Sequence, residues 1–135
     1  MHELSIAMSM IEMASEEAAR NDQTRVAALH LKLGPLSGVV KEALLFSYEI
    51  ACQGTLLAGS QLIIEDVPVM VHCSSCNDES LVVSIQNLRC PSCSSSAVEV
   101  TQGRELEVVA LELEELEPLS RAKNPFILPK LQLGV

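Results

Sequence analysis

Four cysteines set the first chemical expectation. Cys73, Cys76, Cys90 and Cys93 form two CxxC pairs separated by a short polar interval. A CxxC turn points two sulfurs the same way, and a second turn supplies the opposing edge of the tetrahedron that Zn2+ prefers. All four positions are taken by protein sulfur, so the expected site is closed and structural. The competing chemistries are a pair of disulfides, a rubredoxin-like iron centre and a redox dithiol. Paired CxxC at this spacing is a strong zinc signal, whereas one CxxC alone is weak. The segment from about Pro68 to Val100 has too few large apolar residues for a core of its own. Metal is therefore expected to fold it, with about 10–16 kcal/mol of binding energy in comparable zinc peptides at neutral pH.

A second donor set stands at Met1-His2-Glu3. The amine of Met1, the amide nitrogen of His2 and the imidazole Nδ1 of His2 can close adjacent five- and six-membered chelate rings around one ion. That flat nitrogen environment suits Ni(II) or Cu(II) better than Zn(II). The fourth position stays open to the Glu3 amide, another side chain or water. Taken alone the motif is weak, because a frayed terminus ahead of a helix is the commoner reason for such a sequence. Met8, Met10 and Met13 read as helix packing rather than soft copper ligands. His30 is a lone strand histidine, Cys52 a buried structural thiol, and His72 a neighbour of Cys73 to which four cysteines leave no ligand role.

The elements that must position these groups follow from periodicity. Leu4, Met8, Ile11, Ala14 and Ala18 fall at helical spacing, and the helix ends near Asn21 and Asp22. Thr24 to Leu33 alternates with period two, with Ala27, Leu29, Leu31 and Leu33 on the buried face. Gly34, Pro35, Ser37 and Gly38 break the strand. Ser37 is the expected N-cap of a second helix reaching Gln53, with Val40, Leu44, Leu45, Tyr48, Ala51 and Cys52 inward. Gln61–Val67 reads as a strand, and three short strands are expected around the cysteines: Val69–His72, Ser80–Ile85 and Ala97–Thr101. In Glu105–Leu113 the apolar residues change phase, as expected for a strand that returns from the metal module to the first sheet.

The expected fold is α+β, two helices on a small three-stranded mixed sheet with an inserted four-cysteine zinc ribbon. Residues 1–67, completed by a strand within 103–116, make one domain, and residues 68–102 make the zinc module. Past Leu116, Pro118, Pro125 and Pro129 license no regular element, so residues 117–135 are expected to be a tail.

Composition narrows the function. The 135 residues carry 18 acidic against 9 basic groups, a net charge of -9, with no tryptophan, one tyrosine and two phenylalanines. The core must therefore be aliphatic, and the acidic balance argues against nucleic acid and anionic membranes. No signal-peptide pattern or membrane span is visible, so a cytoplasmic location with reduced thiols is expected. No phosphate loop, serine elbow or zinc-protease helix is present.

MHELSIA at the start, the GPLSG turn, the paired CxxC knuckles and the TQGREL segment together resemble the HypA/HybF family, nickel metallochaperones of [NiFe] hydrogenase maturation. The likeness runs in order over residues 1 to about 115. It implies a carrier rather than an enzyme, with nickel at Met1, His2 and Glu3 and structural zinc at Cys73, Cys76, Cys90 and Cys93. It also implies a HypB-type GTPase partner and delivery to the hydrogenase large subunit, or in some members to urease, by a monomer or homodimer. Histidines that flank the zinc cysteines in some members are replaced here by Asn77, Asp78 and Ser94. The remaining alternatives are a zinc-ribbon adaptor that binds no nickel and an iron redox protein.

Overall fold

The computed structural model describes residues 2–21, 25–82, 84–114 and the backbone of 124–132. The chain runs α1 (His2–Arg20), β1 (Arg25–Leu33), a 3-10 turn (Pro35–Ser37), α2 (Lys41–Ala51) and β2 (Gln61–Asp66). β3 (Met70–Cys73), β4 (Asp78–Leu81) and β5 (Val98–Gln102) follow, then β6 (Leu106–Glu114) and β7 (Asn124–Gln132). One sheet has the order β2-β1-β6-β7, and the cysteine segment makes its own sheet, β4-β3-β5. β1 pairs parallel with β2, the two joined through α2, and antiparallel with β6. The main core lies between this sheet and the helices: Met10, Leu29, Leu31, Leu44, Leu57, Val108 and Leu111 are fully buried in one cluster. The expected α+β class with two helices is what the chain forms.

Several details differ from the sequence reading. The sheet has four strands rather than three, because β7 adds to the outer edge of β6 with Leu111 opposite Phe126 and Leu113 opposite Asn124. An edge strand tolerates proline, since half of its N–H groups point away from the sheet, so Pro125 and Pro129 did not forbid it. Residues 115–123 lie outside the described residues.

The phase change in β6 has a local cause. His30 pairs with Ala110 but Leu31 with Val108, so Val109 is an extra residue, a β-bulge. The bulge keeps Leu106 and Val108 in the same core as Leu111 and Leu113. A second shift at Ala27 turns Val26, not Ala27, into the core.

α1 is rotated from the expected phase. Leu4 and Met8 are 45% and 58% exposed, while Glu3, Ile6, Ala7, Met10, Ile11, Ala14 and Ala18 are buried. Small alanines let the helix approach α2 and the sheet closely, and that gain outweighs burying Leu4. In α2, Leu44, Tyr48 and Cys52 are buried as expected, but Val40 and Leu45 are exposed. Its N-cap is Val40 rather than Ser37, which sits in the 3-10 turn.

Two glycine motifs meet where the chain passes between sheets. Gly34 donates its amide to the Glu105 carbonyl at 2.8 Å, and Leu36 donates to the Gly103 carbonyl at 2.8 Å. A Cβ on Gly34 would overlap the Gly103 carbonyl, and one on Gly103, at φ +123, would collide with Val69. Only glycine at both positions permits this approach.

Candidate metal centres

The cysteine segment folds as two like turns. In the first, the Asn77 amide donates to the Cys73 carbonyl at 2.7 Å; in the second, the Ser94 amide donates to the Cys90 carbonyl at 2.8 Å. Asn77 and Ser94 both adopt the left-handed conformation, φ 54 and 60. Each knuckle is thus Cys-x-x-Cys followed by one left-handed residue, a conformation asparagine accepts more readily than serine. β3 delivers Cys73, and β3–β4 pairing and the first turn place Cys76 beside it.

The sulfurs fit a tetrahedral ion. All four Sγ atoms lie within 4.8 Å of one another. Cys73 and Cys93 are 3.6 Å apart, Cys76 and Cys90 3.9 Å. A tetrahedron with Zn–S bonds of about 2.3 Å has edges of about 3.8 Å, so the cage already has the size of a zinc site. Without an ion the sulfurs compete for charge. Amide donation from Cys93 and Ser92 draws the Cys90 thiol down to about 7, while sharing hydrogen bonds with Cys93 and Cys90 pushes Cys76 up to about 12. A divalent cation resolves this by displacing the protons. No other group of three or more histidine, cysteine or carboxylate donors converges among the described residues. His72 is not in the cage; its Nε2 lies 3.3 Å from Asn77 Oδ1.

The other predicted donors lie at the start of α1. Met1 is outside the described residues. His2 is exposed, with Nε2 3.1 Å from the Gly38 carbonyl oxygen. Glu3 is buried, its Oε2 accepting from the Val40 amide at 3.2 Å. Because Val40 has no side-chain cap of its own, a carboxylate from α1 caps α2. Gly38 and Val40 are the residues the sequence reading missed at this site. The only local signal was the glycine before the helix, which at φ 82 turns the chain toward His2.

The remaining candidates are structural. His30 pairs with Glu112 across β1 and β6 at 2.7 Å. Cys52 is buried, its Sγ 3.9 Å from the Ser60 hydroxyl, and burial pushes its thiol up. Met10 is core filler and Met8 is exposed. Lys41 ties the start of α2 to the end of β2 through Asp66 at 2.8 Å. Among the described residues no helix is long and apolar enough to cross a membrane.

The chain as a whole is matched by known proteins. Residues 1–113 match the family described as "Hydrogenase/urease nickel incorporation, metallochaperone, hypA". The chain belongs to the HypA family. The Hydrogenase maturation factor HypA of Chloroflexus aurantiacus (strain J-10-fl) is 50% identical over 112 residues, 83% of this chain and 98% of that protein. HypA of Roseiflexus sp. (strain RS-1) is 44% identical over 122 residues, 90% and 99% of the two chains. The solution structure of the Ni metallochaperone HypA from Helicobacter pylori covers 85% of this chain and 99% of its own, with 26% identity and a TM-score of 0.58. A second HypA solution structure has a TM-score of 0.62 at 26% identity, covering 84% and 97%. The family model's match ends at residue 113, short of β7.

Proposed function

We propose that this HypA chain carries Ni(II) on its N-terminal tripeptide and delivers it for the maturation of [NiFe] hydrogenase, with urease a second possible recipient. The observation that carries this reading is His2, exposed at the start of α1, whose ring leaves Nδ1 outside the contact to Gly38. A carrier needs an open coordination position, and the four-cysteine cage has none. The cage is therefore assigned to resident zinc and the chain end to cargo.

The helix start favours the chelate. The first amides of a helix have no intrahelical partner, so His2 can give up its amide proton without breaking a helical bond. The resulting anionic nitrogen stands at the positive end of the α1 dipole. Because chelation releases protons, nickel affinity falls with acid.

Residues 1–67 with 103–116 are read as the cargo unit and 68–102 as the zinc-stapled unit. The inferred partners are a HypB-type GTPase and the hydrogenase large subunit, in the cytoplasm, with no reaction catalysed by the chain itself.

Nickel titration of untagged chain and of His2→Ala tests the assignment. Loss of nickel binding in His2→Ala, with one zinc retained, is the expected result. Equal affinity in both would instead leave a zinc-stapled adaptor.

A further inference from the structure

A chain end is ordinarily held by few contacts. Here His2 is tied down. Nε2 of His2 is 3.1 Å from the Gly38 carbonyl oxygen and 3.8 Å from Glu3 Oε2. That carboxylate is in turn held by the Val40 amide at 3.2 Å. A carbonyl oxygen only accepts, so Nε2 carries the proton and donates. In the neutral ring the lone pair is then on Nδ1, the nitrogen that closes a six-membered ring with the His2 amide nitrogen.

We propose that the Gly38–Val40 turn positions the nickel cargo site: the Gly38 carbonyl fixes the His2 ring through Nε2–H, presenting Nδ1 before the ion arrives. The inference rests on the N-terminal chelate reading and adds to it the group that aims the ligand. Two effects follow. The ring can no longer swing freely about its two side-chain torsions, so less freedom is lost on binding. When a cation draws density from Nδ1, the Nε2–H becomes a stronger donor, and its bond to the Gly38 carbonyl strengthens with it. Ligating histidines fixed this way typically lose about 10–100-fold in metal affinity when the outer partner is removed. The turn therefore decides how firmly cargo is kept. Gly38 adopts φ +82, and a Cβ there meets nothing within 4 Å. Its substitution thus acts through backbone strain on the turn, not through a clash.

Cys52 offers a native ligation point, so a synthetic peptide of residues 1–51 can be joined to an expressed 52–135 to give full-length chain. Three chains are compared for Ni(II) affinity and for the rate of nickel loss to a chelator: unmodified, His2 methylated on Nε2, and His2 methylated on Nδ1. Zinc content and melting temperature check that all three are folded. The Nε2-methyl chain is expected to bind about 10–100-fold more weakly and to lose nickel faster, and Gly38→Ala in that chain adds no further loss. In the unmodified chain, ring 15N shifts before nickel is added should report a protonated Nε2. Unchanged affinity and rate in the Nε2-methyl chain, with binding lost in the Nδ1-methyl chain, overturns the role of the turn and leaves the chelate standing. Unchanged binding in the Nδ1-methyl chain and in His2→Ala sinks the chelate reading itself.

Discussion

Replacing Gly34 by alanine tests the junction where the two glycine motifs meet. The new Cβ would overlap the Gly103 carbonyl and lie 2.9 Å from the Arg104 amide nitrogen, all of it backbone. Ordinary carbon contacts are about 3.5–4.0 Å, so the two segments must part by about 1 Å. The hydrogen bonds Gly34 to Glu105 and Leu36 to Gly103, each 2.8 Å, would then stretch beyond useful range. Each contributes about 1 kcal/mol net, and Gly34 is buried, so its amide would lose water as well as its partner. Against about 2–3 kcal/mol of loss, alanine gains about 0.4–1 kcal/mol by restricting the unfolded chain. The net is about 2 kcal/mol, or a fall in melting temperature of about 6–10 °C for a chain of this size. Gly38→Ala is the control: it has no clash, only a left-handed backbone, and should cost about 1 kcal/mol. Thermal unfolding followed by circular dichroism measures both. If Gly34→Ala melts no lower than Gly38→Ala, the close approach of the two glycine motifs does not carry the stability assigned to it.

Other consequences can be read separately. Tyr48 is the chain's single tyrosine, and burial pushes its hydroxyl well up from 10, so it should ionise only as the protein unfolds. Because the folded value lies above the unfolded one, the stability it contributes is intact below pH about 10 and is lost as pH rises beyond it. Tyrosinate absorbance with a midpoint near 10 in folded protein would contradict this. Cys73→Ser should abolish zinc binding and the amide protection of β3, β4 and β5 while leaving α1 and α2 protected, as hydrogen exchange and metal analysis would report. His30→Ala should cost no more than about 1 kcal/mol, since the pair with Glu112 is part-exposed; a loss several times larger in chemical denaturation would give the pair a different weight. Ending the chain after Glu117 removes β7 and opens the β6 edge, so concentration-dependent self-association is expected in light scattering; a truncated chain that stays monomeric would show that β7 does not guard that edge.

The sulfur cage was legible because its logic is local. Two CxxC turns dictate where four sulfurs go, whatever surrounds them. β3 and β5 of the zinc sheet were legible too, within a residue, from short alternating runs, whereas β4 starts two residues earlier and ends four residues earlier than the expected Ser80–Ile85. The N-terminal site was legible only as donor types. Its geometry depends on Gly38 and Val40, some 36 residues away, and nothing in the tripeptide says which carbonyl its ring will meet. Helix phase failed for a related reason. A stripe chosen by residue size places Leu4 and Met8 inward, but the α1–α2 approach is set by Ala7, Ala14 and Ala18 and by a Glu3 carboxylate whose burial is compensated from α2. The bulge at Val109 likewise appears in sequence as a change of phase, which a flat strand cannot distinguish from a change of environment, while the one at Ala27 was hidden by an alternation that put Ala27 on the buried face.

On the proposed assignment, the two donor sets divide labour by how hard each is to open. An ion held by four thiolates on two backbone turns leaves only after each sulfur is released in turn, so the cage keeps its metal and the fold of β3, β4 and β5 with it. A nitrogen chelate on the first turn of a helix has a different escape: protonating one amide returns it to a state the helix end already tolerates, with no bond lost inside α1. What separates such a site from a merely weak one is that its imidazole is held by a turn belonging to another element. The 3-10 turn Pro35–Ser37 meets the exit of the zinc segment through Leu36 and Gly103, and the residue after it meets His2 through Gly38. If the turn aims the ligand as proposed, retention of the resident ion keeps Gly103 in place and Gly103 keeps the turn in place through Leu36. On the proposed assignment, the sulfur site would therefore support carriage without touching the cargo.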